Sequence, residues 1–253
     1  MNGREMVAAG GKPLLILQTG SASLRTRQQH GDYDRMFVRA AELEAREAQG
    51  LLRRVHVERG ERPENPRIYA GVLITGSDAM VSDRLPWSEA AAGWLRGALD
   101  AGLPVFGVCY GHQLLAHALG GVVEDHPAGL EAGTRDIFLR ARATAEPMLA
   151  GTPQRFAANL FHRQTVVAPP AGAVALAASA HDPHQILRYA PMVWSVQFHP
   201  EFDGTIMAAL LAEEEEVGKP APARRGDIAD APHARALLRR FVESIPEPAG
   251  DGA

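Results

Sequence analysis

The chain has 253 residues, a formal net charge of −4 and 46% hydrophobic residues, enough to bury a sizeable core in one α/β domain. Lys12 and Lys219 are the only lysines, and the arginines are spread along the chain without a dense basic patch, which argues against nucleic-acid and membrane-surface partners. A single cysteine excludes an internal disulfide; residues 1–12 lack an apolar core of signal-peptide length and no later run approaches membrane-spanning length, so a cytoplasmic, reducing location is expected.

The first strand is expected at residues 14–17, closed by the turn residues Gln18 to Gly20. Residues 21–32 read as polar. From Tyr33 the apolar spacing is helical through Met36, Phe37, Ala40, Leu43 and Ala45, and this helix is expected to end near Gly50. Strands follow at residues 51–58 and at Gly71–Ile74, and strand, helix, strand predicts a parallel sheet. A surface helix is expected over residues 87–101, with Pro86 at its start and Gly102 at its end. Beyond Gly121 the pattern shortens to strands at residues 122–124, 134–139, 155–160, 174–178 and 186–189, which predicts an antiparallel extension. The acidic run Glu213 to Glu216 reads as a solvated helix end, residues 218–225 as a connector, residues 231–245 as an amphipathic helix with Leu237, Leu238, Phe241, Val242 and Ile245 on its apolar stripe, and residues 246–253 as a frayed end.

The chemistry concentrates around Cys109. Residues 104–108 read as a buried strand and residues 113–119 as a helix, so Cys109 lies where one must turn into the other. Gly107 and Gly111 stand at minus two and plus two, where a Cβ would clash in a sharp strand-to-helix reversal. A thiol at that elbow meets the unpaired N–H groups and the dipole of a helix N-terminus, which favour thiolate. The same pattern also fits an inert, buried cysteine. Far downstream, residues 192–198 alternate as a strand that Pro200 ends, with His199 at the strand end. In an extended segment residues two apart point the same way, so Glu201 can reach back to the His199 ring and fix its tautomer. Nucleophile, base and orienter are then all present. His181 and His184 are spaced for a metal, but without further ligands they read as surface histidines. No phosphate loop is visible, and neither cofactor nor metal is expected.

The motifs Gly107-Val-Cys109-Tyr-Gly111-His-Gln113 and Gln197-Phe-His199-Pro-Glu201 resemble the class I glutamine amidotransferase family, in particular the glutaminase domain of GMP synthase and its stand-alone relatives. The resemblance covers about residues 14–202. It implies a flavodoxin-like α/β fold, an open, mostly parallel sheet with helices on both faces and a small antiparallel extension. One domain over residues 1–253 is expected, with a core at about 13–202 and a helical extension at 203–253. The resemblance implies Cys109, His199 and Glu201 as the catalytic triad, and oxyanion donors from the backbone of Gly76 or Ser77 and of Tyr110. The family's usual Gly-Gly in that turn reads Gly76-Ser77 here. It also implies that Gln113, His162 and Gln164 bind the amino-acid end of the substrate.

The function implied is hydrolysis of a γ-glutamyl amide through a Cys109 thioester. The chain then serves either as a glutaminase for a separate ammonia-acceptor synthase subunit or as a stand-alone γ-glutamyl hydrolase; a third reading is a non-catalytic module on the same fold, against which the intact Cys109, His199 and Glu201 count. The sequence does not fix an oligomeric state. Residues 159–166 match a family segment that usually reads Ser-His-x-Asp-x-Val, with Gln164 at the position of the aspartate that faces the substrate's α-ammonium. A neutral amide offers only a dipole there, so weak activity of the isolated chain on free glutamine is expected, improved by Gln164→Asp; the alternatives are a substrate whose α-amine is acylated or otherwise uncharged, a site completed by a partner, or another acid such as Asp78 or Asp182 supplying the charge.

Overall fold

The computed structural model describes residues 11–216, Gly218 and residues 228–245. Apart from Gly218, the expected connector at 218–225 lies outside the described residues, as does the end at 246–253. In chain order the elements are β1 (Leu14–Gln18), α1 (Leu24–His30), α2 (Tyr33–Ala40), α3 (Glu44–Ala48), β2 (Leu52–His56), β3 (Gly71–Ile74), α4 (Pro86–Asp100), β4 (Val105–Val108), α5 (Tyr110–Ala118), β5 (Val122–Asp125), β6 (Glu131–Leu139), β7 (Arg155–His162), β8 (Gln164–Ala168), β9 (Val174–Ala178), β10 (Ile186–Ala190), β11 (Val193–Val196), α6 (Gly204–Glu216) and α7 (Pro232–Ser244). A nine-stranded sheet runs β2-β1-β3-β4-β11-β10-β9-β6-β7, and β5 pairs with β8 in a separate ribbon.

The stretch β2-β1-β3-β4-β11 is wholly parallel. Its inner strands are continuous apolar runs because both faces are covered: β1, β3 and β4 have no exposed residue. Residues of α4 and α5 share one apolar cluster with Leu15, Val72 and Val105. On the other face α2 and α7 pack on Leu14, Leu73 and Phe106. The fold is therefore α/β with helices on both faces. From β11 outward every pair is antiparallel, so the extension continues the main sheet with four strands, β10, β9, β6 and β7.

Several local expectations change. The polar residues 21–32 contain α1, whose Ser23 side chain accepts from the Thr26 N–H as an N-cap. The helix expected from Tyr33 to near Gly50 breaks into α2 and α3, because Glu42 takes a left-handed backbone with φ of 56°. Leu43 continues the apolar spacing and is buried at the break, so periodicity alone cannot register the reversal. The acidic run at the end of α6 is bonded rather than merely solvated: Glu213 accepts from Ser23 and Thr26, Glu214 from Arg163 and Glu216 from Arg25.

Helix α7 docks on the sheet, with Leu237, Leu238 and Phe241 fully buried and the Phe241 ring 5.1 Å from that of Phe106. Phe106 belongs to the strand that delivers Cys109, so this packing supports the floor of the site. Phe241→Ala is expected to lower stability by roughly 3–5 kcal/mol through lost burial and a residual cavity. Urea unfolding checks this; a loss below about 1 kcal/mol would show that α7 contributes little to the fold.

Candidate active site

Three strand ends meet here. Cys109 follows β4 directly and adopts φ 51° and ψ −101° as it turns into α5, a left-handed conformation that costs a non-glycine residue about 1–3 kcal/mol. The neighbouring glycines show what holds it. A Cβ on Gly107 would lie 2.5 Å from the Gly111 carbonyl oxygen, and one on Gly111 would lie 2.7 Å from the Ile74 carbonyl oxygen. The first turn of α5 is thus pressed against β3 and β4, and the chain can leave the strand only through the strained cysteine. Cys109 is 6% exposed, and its thiol lies 3.8 Å from the Phe161 carbonyl.

The second strand end brings His199. Strand β11 pairs with β4 in parallel register, Ser195 with Gly107 and Val196 with Val108. Strand pairing stops at Val196 rather than running to Pro200, yet the backbone stays held, since the His199 N–H donates to the Asn159 carbonyl at 2.8 Å. The Asn159 side-chain amide donates to the Phe202 carbonyl at 3.0 Å, so one residue brackets the loop from His199 to Phe202. The Phe202 ring lies parallel to the imidazole, with centroids 4.0 Å apart. Glu201 accepts from His199 Nδ1 at 2.7 Å, both side chains being buried; among the described residues the second Glu201 oxygen has no hydrogen-bond partner.

Burial works against the imidazolium, but the Glu201 carboxylate and the Cys109 side chain together outweigh it and raise His199 to about 10. His199 is therefore cationic at neutral pH, the counter-ion that a thiolate nucleophile needs. His112, next to the elbow, behaves oppositely: burial lowers it to about 3, so it stays neutral.

The third strand end, after β3, supplies the turn Thr75 to Asp78. A Cβ on Gly76 would stand 3.1 Å from the His199 ring and 3.7 Å from Cys109 Cβ, so this turn lies directly against the cysteine and histidine. The Thr19 hydroxyl lies 2.9 Å from the Thr75 carbonyl and 3.1 Å from that of Gly76, and the Thr75 hydroxyl donates to the Gly76 carbonyl at 3.0 Å. The Gly76 carbonyl is thereby drawn toward β1, and in a trans peptide the Ser77 N–H points the opposite way. Tyr110, the other expected donor, opens α5, where N–H groups have no intrahelical acceptor. Its phenol lies 2.7 Å from the Ser88 hydroxyl, and burial pushes it up to about 12.

Cys109, Ser77, Asp78 and Phe161 line a cavity of about 300 Å3 together with Tyr33, Gln113, His162, Gln164 and residues of α6. The residues expected at the amino-acid end lie in this cavity wall and are bonded to protein neighbours. Gln113 is buried and donates to the Gln164 carbonyl at 2.7 Å and to Gln197 at 3.0 Å. His162 lies in the wall with both ring nitrogens engaged, one by the Gln164 carbonyl and one by Glu131, each at 2.9 Å. The Gln164 amide donates to Ser82 at 2.6 Å and to Asp125 at 2.9 Å. His181 and His184 diverge, the first stacking on His126 at 4.0 Å and the second facing the Val166 carbonyl; among the described residues no group of three or more histidine, cysteine or acidic side chains is placed to hold a metal. Sequence reasoning did not find Thr19, Asn159, Phe202 or the carboxylates of α6. Only the Ser23 cap beside α6 carried a local signal.

The profile of the family "Glutamine amidotransferase class-I" matches residues 43–215. The chain belongs to this family. It is 32% identical to a GMP synthase of Aeropyrum pernix over 72% of this chain and 32% of that protein, and 31% identical to a gamma-glutamyl-L-1-hydroxyisopropylamide hydrolase of a Pseudomonas species over 57% of this chain and 51% of that protein. It spans about a quarter to a third of the GMP synthases it matches. A crystal structure of a glutamine amidotransferase from Methylobacillus flagellatus superposes with a TM-score of 0.74 over 96% of this chain and 99% of that one, at 20% identity, and shares the fold. Among the described residues no helix is long and apolar enough to cross a membrane.

Two expectations follow. A histidine raised in the folded state stabilises it fully below the unfolded value of about 6.5, and that contribution is lost as pH rises toward about 10. In Glu201→Gln burial is opposed by less charge, so the His199 ring signals in NMR should titrate at lower pH than in the wild type; an unchanged midpoint would remove Glu201 as the source of the shift. The second corrects the expected benefit of Gln164→Asp. A carboxylate there faces Asp125 and loses both amide donations, so the variant should melt at lower temperature and gain no affinity for glutamine. A tighter-binding, equally stable variant would contradict this geometry.

Proposed function

We propose that the chain hydrolyses a γ-glutamyl amide through a thioester on Cys109. The observation that carries this reading is the strained cysteine beside a histidine whose charge is sustained by a carboxylate at 2.7 Å. The thiolate attacks the side-chain amide carbon, forming the C–S bond and moving the carbonyl π pair onto oxygen. The Tyr110 N–H and an N–H of Gly76 or Ser77 receive that oxyanion. Its collapse breaks the C–N bond, and the leaving amine takes the proton from His199. Water then attacks the thioester, His199 accepts one of its protons, and C–S cleavage releases the γ-carboxylic acid, which ionises in solvent, and restores the thiolate. Glu201 keeps Nδ1 occupied throughout, which leaves the other ring nitrogen to handle protons. Gln113, His162 and Gln164 shape the wall that receives the rest of the substrate.

The amine released is ammonia when glutamine is the substrate, and the likeness to GMP synthase supports delivery to a separate acceptor synthase subunit. The likeness to a hydrolase named for a γ-glutamyl hydroxyisopropylamide supports a second reading, cleavage of a substituted γ-glutamyl amide by the chain alone. A reducing, cytoplasmic setting fits both, since the mechanism needs a free thiol.

A glutamine-like electrophile is expected to label Cys109 stoichiometrically at neutral pH. Cys109→Ala should abolish turnover with the fold intact, and His199→Asn should lose nearly as much because nucleophile and base act as a unit. Retained turnover in Cys109→Ala would end the thioester mechanism. Ammonia release from glutamine that rises on addition of cell extract supports the acceptor-coupled reading; hydrolysis of γ-glutamyl alkylamides by the isolated chain, unaffected by extract, supports the second.

A further inference from the structure

The α-amino-acid end of a γ-glutamyl substrate is a zwitterion, so its receptor needs one anion and one cation. Gln164 provides neither, its amide being directed at Ser82 and Asp125. Asp182 is 1% exposed, accepts from Thr165 and the His184 N–H, and is not part of the cavity wall. Asp78 reaches the cavity but directly follows Ser77 in the turn that lies against Cys109 and His199, at the reacting end of the substrate. Helix α6 supplies a different arrangement. Glu213 lines the cavity, and its Oε1 accepts from the Ser23 hydroxyl at 2.8 Å and the Thr26 hydroxyl at 2.9 Å. Two neutral donors from α1 thus fix the carboxylate, and among the described residues no ion pair engages it, the neighbouring Arg25 and Arg163 being paired with Glu216 and Glu214. Arg163 lines the same cavity and gives one N–H to Glu214 at 2.7 Å; a guanidinium has five N–H donors, so others remain to be used.

We propose that Glu213, oriented by Ser23 and Thr26, binds the α-ammonium of the γ-glutamyl substrate, with Arg163 facing its α-carboxylate. This rests on the γ-glutamyl reading above and names the residues that select the substrate's amino-acid end. Glu213 is a specificity residue and takes no part in bond making. Its position explains how an uncharged Gln164 is tolerated: the negative charge enters from the C-terminal helix instead of from the segment after β7.

The test is binding, which separates it from turnover. In a Cys109→Ala background, calorimetry should show L-glutamine binding that weakens roughly tenfold or more on Glu213→Gln, the size of a lost charge-assisted hydrogen bond. N-acetyl-L-glutamine, which lacks the ammonium, should bind more weakly than glutamine and be indifferent to Glu213→Gln. The substitution is isosteric, and an unchanged circular-dichroism melting curve confirms that any loss is local. Equal glutamine affinity with and without Glu213→Gln overturns the proposal. So does a loss confined to Asp78→Asn, a preference for the N-acetylated ligand, or the absence of glutamine binding to Cys109→Ala. Glu213-dependent binding in a protein whose wild type turns over no γ-glutamyl amide supports the receptor and instead refutes the hydrolytic reading.

Discussion

The site depends on the close approach of the first turn of α5 to the ends of β3 and β4. Gly107 faces the Gly111 carbonyl and Gly111 faces the Ile74 carbonyl at separations that leave no room for a Cβ. That contact sets the distance between helix and sheet, and with it the direction in which Cys109 leaves the strand. The Gly111 N–H also reaches the Thr75 carbonyl at 3.2 Å, so the elbow and the candidate oxyanion turn are joined by the same approach. A side chain at either glycine would displace the nucleophile and the turn together. The cost of the strained cysteine is borne by the buried strands on both sides of it.

The antiparallel half of the sheet completes what the parallel half begins. Strand β7 ends the sheet order, four positions beyond β11, yet its Asn159 holds the backbone of His199 and Phe202 and its Phe161 carbonyl lies over the thiol. The sheet therefore curls far enough to return its edge to the centre of the site. The parallel strands deliver the thiol and the oxyanion turn, and the curled edge fixes the histidine loop. Phe202 stacked on the imidazole restricts ring rotation, leaving the Glu201 hydrogen bond to select which nitrogen carries the structural role.

Short-range relations were legible in the sequence. The glycines at minus two and plus two of Cys109, and the two-residue spacing of His199 and Glu201, depend only on local backbone geometry, and the structure brings those residues together as their spacing predicts. The parallel strands were equally plain, because burial on both faces leaves uninterrupted apolar runs. Long-range relations were not. The hydroxyls of Ser23 and Thr26 meet Glu213 across nearly the whole chain, so a run of glutamates reads as solvated until its neighbours are known. Strand β8 was hidden because the segment after β7 was read as a motif. The break at Glu42 was hidden because a left-handed residue leaves apolar periodicity intact.

Gln164 shows why a departure from a motif has to be judged in three dimensions. Read alone, an amide in place of a carboxylate means a weakened contact with an ammonium. In the folded chain the amide carries two donations and an acceptance within β5, β8 and the loop before α4, where a second carboxylate beside Asp125 would be repelled. The residue is fitted to its protein neighbours, and a negative charge in the cavity has to come from elsewhere. In the proposed receptor helix α6 supplies that charge at small structural cost, since Glu213 projects from one helix into a cavity the sheet has already formed. Charge at the amino-acid end can therefore change with α6 while the elbow, the histidine loop and the oxyanion turn keep their geometry.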